Sequence, residues 1–215
     1  MFTNSSHESS TPTRDAHDES QTNNSDTPPL PTKHTEGKSE NFGIEILKIV
    51  ILAIIIVTPI RIFIAQPFVV SGASMDDTFA NGQYLIVDQL SYRFDEPKRG
   101  EVIIFRFPLE PSKFFIKRII GLPNEQVILQ GKATIIINEE NPDGLVLDES
   151  YLSLENVDDN SYSTTLGSGE YFVMGDNRKE SSDSRSWGVL NKEHIVGQAF
   201  VRLFPITKFN ILPGQ

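Results

Sequence analysis

The side chains able to do chemistry are few, and their scarcity narrows what the chemistry can be. The 215-residue chain holds no cysteine, which removes thiol catalysis, disulfides and any cysteine-built metal or iron–sulfur site. Its histidines are His7, His17, His34 and His194, so a Ser–His–Asp triad could use only His194, the one histidine outside a polar N-terminal stretch. There is no G-x-S-x-G elbow, no S-x-x-K pair and no D-T/S-G loop. A hydrolase built from this chain must take its general base from elsewhere.

Four segments carry the candidates. In VVSGASMDDTF (residues 69–79), Gly72 and Ala73 are small enough to let a peptide backbone approach, and Ser74 offers a hydroxyl; a plain turn serine is the alternative. KRGEVIIFRFP (98–108) is a turn leading into a strand. In FFIKRIIGLPNE (114–125), strand alternation places Phe115, Lys117 and Ile119 on one face and Ile116, Arg118 and Ile120 on the other. Each face therefore carries one cation among apolar neighbours, and a solvated edge lysine is the competing reading. GDNRKESSDSRSWG (175–188) is dense in short polar side chains; Asp176 and Asp183 lack the D-x-D-x-D-G spacing of a calcium loop, so no metal or cofactor is expected.

These segments need a scaffold, and the body, residues 66–215, reads as mostly β. Its apolar runs are short and rich in Val, Ile and Phe, and stretches such as EPKRG, GLPNE, NEENPDG, GSG and GDN separate them. A small insert is expected near 123–170. Ahead of the body lie two unlike regions. Residues 1–42, with seven acidic and three basic residues (net −4), are too polar to offset the entropy of ordering and read as a disordered tail. Residues 43–65 read as a transmembrane helix: Ile44 to Ile64 would span about 31 Å at 1.5 Å per residue. Lys48 and Arg61 sit within reach of either interface, and Pro59 is a candidate kink. Lys33 and Lys38 before the span, with no base between Arg61 and Arg93, place the tail in the cytoplasm and the body outside the plasma membrane, in a single pass. The net charge of −10 argues against nucleic acid as a partner and leaves the lipid bilayer as the expected one.

Taken together and in this order, a span, G-x-S-M, RGEVIIFRFP, IKRIIGLP and GDNR…SDSR…WG, the chain resembles the type I signal peptidases over roughly residues 43–205. These are the membrane-anchored Ser–Lys proteases of peptidase family S26. The resemblance implies a mainly β domain, a curled antiparallel sheet of the signal-peptidase/LexA-like kind, with one N-terminal transmembrane helix. It implies Ser74 as nucleophile and Lys117 as general base acting through an acyl-enzyme. It also implies that Ser181 hydrogen-bonds and orients the lysine amine, that Asp176, Arg178, Asp183 and Arg185 form the ion pairs of a scaffolding loop, and that Gly72 lies in the oxyanion region. The substrates implied are signal-peptide-bearing preproteins, cut after small residues at −1 and −3.

Two departures stand out. Some members carry Ser or Thr where this chain has Gly72, with Ser71 one place too early, so the second oxyanion donor is open. SMDDTF replaces the usual SM-x-P-T-L. Other readings are a catalytically inactive, membrane-anchored β-domain that binds exported chains, or a LexA-like self-cleaving Ser–Lys protein.

Overall fold

The computed structural model describes residues 42–59 and 65–214. The tail expected over 1–42 lies outside the described residues except for Phe42, which opens helix α1 (Phe42–Pro59). Every side chain of α1 is exposed, and by length and composition it is apolar enough to cross a membrane. Its 18 residues rise about 27 Å, close to the thickness of a hydrocarbon core. Of the span read over 43–65, the described helix reaches Pro59 and Ala65 belongs to a strand, while residues 60–64 lie outside the described residues.

The body is built from antiparallel sheets, as its short β-branched runs require. The larger sheet orders β1 (Ala65–Val69), β2 (Tyr84–Asp88), β11 (Ile195–Phe204), β3 (Val102–Phe107), β4 (Glu110–Gly121), β9 (Glu170–Met174) and β10 (Leu190–Asn191). Strand β12 (Asn210–Ile211) pairs with β11. The smaller sheet orders β7 (Leu145–Val146), β6 (Ala133–Ile137), β5 (Gln126–Gly131) and β8 (Asn160–Thr165). Strand β3 is buried on both faces over Val102–Phe105, so no polar residue interrupts that run.

Strand β4 organises the site. Its first residues are exposed and its last five, Lys117–Gly121, are buried, so Lys117 stands where the strand passes from the surface into the core. The core follows the expected alternation. Ile119 packs with Ile103, Phe105 and Val173, and Phe115 lies against that cluster; Ile116 packs against a separate cluster around Met75 and Phe79. Ile120 joins a third, with Val127, Leu129 and Ile136 of the smaller sheet and Phe172 of β9. The smaller sheet is thereby welded to the far end of the strand that carries Lys117.

Candidate active site

The turn after β1 is pinned on the C-terminal side of Ser74. Met75 and Phe79 are fully buried, so the chain is anchored immediately beyond the serine while Ser74 itself stays partly open. The Asn177 N–H donates to the Ser74 carbonyl at 3.1 Å. Gly175 makes that approach possible, because a Cβ there would lie 2.3 Å from both the Ser74 carbonyl oxygen and Ser181 Oγ. Upstream, Gly72 adopts φ +95°, a left-handed conformation costly for any residue with a side chain, and its N–H donates to Asn81 Oδ1 at 3.1 Å. No side chain at 72 enters the oxyanion region.

Lys117 Nζ and Ser74 Oγ lie 2.7 Å apart across 43 residues of sequence. The amine also donates to the Ile116 carbonyl at 3.0 Å and stands 5.4 Å from the centre of the Phe115 ring. Only 3% of Lys117 is exposed, so the solvated edge lysine does not occur. Burial pushes the amine down to about 8; Asp183 and Asp176 pull it up, and Arg185 pushes it down.

The polar loop departs from expectation at one residue. Ser181 does not hydrogen-bond to Lys117: its Oγ is buried without a hydrogen-bond partner, while the amine donates to the Ile116 carbonyl. Asp176 and Arg178 both form ion pairs, with partners outside the loop. Asp176 turns toward β4 and accepts from Arg118 Nε at 2.8 Å and from its terminal nitrogen at 2.6 Å, and Thr78 Oγ1 donates to it at 2.5 Å. Arg178 turns the other way, toward Glu149 and the Tyr151 hydroxyl, in the connection between β7 and β8. Asp183 and Arg185 do pair, at 2.8 Å, and Asp183 also caps helix α2 (Ser184–Trp187).

Sequence reasoning left Arg118 without a task and missed Thr78, Asn81, Glu149 and Asn156. For Arg118 a signal was present, since a cation alternating among buried isoleucines demands a buried anion. The other four belong to no periodic pattern.

A cavity of about 450 Å³ opens over Ser74 and Lys117, lined on one side by Val69 to Ala73 and on the other by Lys113 to Ile116. Its walls include two unfilled strand edges. The outer edge of β1 has no neighbour among the described strands, and β4 meets β9 only from Arg118 onward. Among the described residues no cluster of His, Cys, Asp and Glu could hold a metal ion. The arrangement can hold an extended peptide between two strand edges and place one carbonyl beside a serine hydroxyl hydrogen-bonded to a buried amine.

A family model described as signal peptidase, peptidase S26, matches residues 43–204. A protein named "Probable signal peptidase I-2" from Synechocystis sp. is 34% identical over 187 residues, covering 84% of this chain and 82% of its own. Signal peptidase I of Bacillus licheniformis is 33% identical over 187 residues, covering 81% and 97%. A crystal structure of a signal peptidase I from Enterococcus faecalis V583 aligns at a TM-score of 0.41 and 28% identity, covering 48% of this chain and 97% of that one.

Proposed function

Since the chain belongs to the signal peptidase I family, peptidase S26, we propose that it cleaves signal peptides from exported preproteins with Ser74 as nucleophile and Lys117 as base. The observation that carries this reading is the 2.7 Å contact between Ser74 Oγ and a buried Lys117 Nζ. A neutral amine has a lone pair, so the Ser74 hydroxyl donates to it and is polarised for attack. As the Oγ–carbon bond forms, the hydroxyl proton passes to Nζ. The Ser74 backbone N–H donates to the developing oxyanion. When the carbon–nitrogen bond breaks, the ammonium returns its proton to the leaving amine. Neutral Lys117 then takes a proton from a water that attacks the acyl-enzyme and regenerates Ser74.

The substrate lies as an added strand between the edge of β1 and the front of β4, where main-chain hydrogen bonds hold any sequence and the walls judge side chains. Val69, Val70, Leu85, Ile104 and Ile116 line the cavity, so side chains entering it meet apolar surface in a confined space. That fits small residues at −1 and −3. Helix α1 is the membrane anchor, with the tail cytoplasmic and the body outside. Ser74 follows Pro59 by only fifteen residues, which keeps the site near the surface where a tethered leader emerges. For the scaffold, Asp176, Arg178, Asp183 and Arg185 hold the loop behind the dyad.

The test is processing of a purified preprotein with alanine at −1 and −3 by the full chain in detergent micelles. A single cut after −1 is expected, and phenylalanine at −1 should slow it by more than about tenfold, as steric exclusion from a confined pocket does. An intact preprotein, or equal cutting with phenylalanine, would overturn the proposal.

A further inference from the structure

The connection from β7 to β8 does more than close the smaller sheet. Glu149 accepts from Thr134 Oγ1 of β6 at 2.8 Å and pairs with Arg178 of the polar loop. Tyr151 lies under the Arg118 guanidinium, 4.0 Å from ring centre to Cζ. Five residues on, Asn156 bonds in opposite directions. Its backbone carbonyl accepts the Arg178 N–H at 2.9 Å, and its side-chain Nδ2 donates to the Asp76 carbonyl at 3.0 Å. Asp76 is two residues beyond Ser74.

From this geometry we infer that Asn156 is a positioning residue for the nucleophile, and that the smaller sheet acts on catalysis through it. The inference rests on the Ser74–Lys117 reading above. The turn bearing Ser74 is held upstream by Asn81 at Gly72 and from behind by Asn177 at the Ser74 carbonyl. On the downstream side, Asp76 also reaches back to the Ala73 carbonyl at 3.1 Å through its N–H, a bond within the turn itself. Further on, Thr78 is tied through its hydroxyl to Asp176 and through its carbonyl to Arg202, whereas the Asn156 amide reaches Asp76 itself, across 80 residues. Without it the stretch between Met75 and Thr78 loses that tie, and Ser74 Oγ can drift from Nζ. Displacement of a reacting group by about 1 Å can cost about 10²-fold in rate.

Alanine at 156 deletes only the side-chain donor, because the carbonyl that accepts from Arg178 belongs to the backbone. The full chain in micelles is assayed on a cleavable signal peptide as wild type, Asn156→Ala and Asn156→Ser, with Leu154→Ala as a control from the same connection, where the side chain is 86% exposed. For both Asn156 variants kcat should fall about 10- to 100-fold with KM within twofold. The midpoint of the pH profile should stay at the wild-type value, because the base is untouched; Leu154→Ala should match wild type. Retained kcat, a rise in KM alone, or a shifted midpoint would overturn the inference. If Asn156→Ala fails to fold, Asn156→Ser decides by the same criteria, and misfolding of both would assign the bond to stability and overturn a positioning role. Ser74→Ala run in parallel separates the two levels: activity surviving there sinks the dyad, whereas an inactive Ser74→Ala beside a fully active Asn156→Ala sinks only the role of Asn156.

Discussion

Lys117→Ala is expected to lower kcat on a signal peptide by about 10³-fold or more while leaving KM and the melting temperature near wild type, because in the proposed mechanism the amine is the base and contributes little to binding. An unperturbed lysine is a poor base at pH 7, where well under a thousandth of it is neutral. With the amine pushed down to about 8, roughly a tenth is neutral at pH 7, so the folded protein raises the population of competent base by more than two orders of magnitude. Burial causes that shift, and burial is also why the variant should fold: alanine removes a desolvated polar group from beside Phe115 and leaves no partner charge stranded. Lys117→Arg should not rescue activity, since a guanidinium stays protonated. A Lys117→Ala chain that cuts at the wild-type rate would remove lysine from the mechanism.

The second large effect is structural and centres on Arg118. Its side chain and that of Asp176 are 3% and 2% exposed, and they meet through two hydrogen bonds. Arg118 also donates to the carbonyls of Gly100 and Gly214. Arg118→Met keeps most of the volume but strands the Asp176 carboxylate, still joined to Thr78, in a water-poor interior. Breaking one side of such a pair costs about 3–5 kcal/mol, a large share of a domain's stability. The double variant Arg118→Met/Asp176→Leu should recover at least half of the loss, since no unpaired charge remains. Urea unfolding in micelles measures both. A cost below about 1 kcal/mol for the single variant would show that the pair does not hold the loop.

The fates of Arg118 and Lys117 also show what a linear reading reaches. The period-two pattern of FFIKRII set both on a strand and on opposite faces, and the G-x-S-M, IKRIIGLP and GDNR segments marked Ser74 and Lys117 as candidates. The antiparallel sheets and the apolar helix were legible for the same reason: their signal is local composition and period. What was not legible is contact between segments without a period. Asp176 meets Arg118 across 58 residues rather than its near neighbour Arg178, and Arg178 goes to Glu149. Neither choice can be read from spacing, because both depend on how the polar loop folds over β4. Ser181 was expected on the lysine amine, which instead meets Ser74 Oγ and the Ile116 carbonyl; how the loop seats Ser181 is likewise not set by spacing.

The central claim is that a buried, neutral lysine activates Ser74, and the pH dependence of kcat/KM for a cleavable signal peptide tests it most directly, since that ratio titrates the free enzyme's base. Between pH 6 and 10 the ratio should rise about tenfold per unit, bend near 8 and level off above, because protonation of Lys117 on the acid side removes the lone pair that accepts the Ser74 proton. The profile should be the same in His194→Ala. A ratio already level from pH 6, or a bend near the histidine value of about 6.5 that vanishes in His194→Ala, would contradict the account.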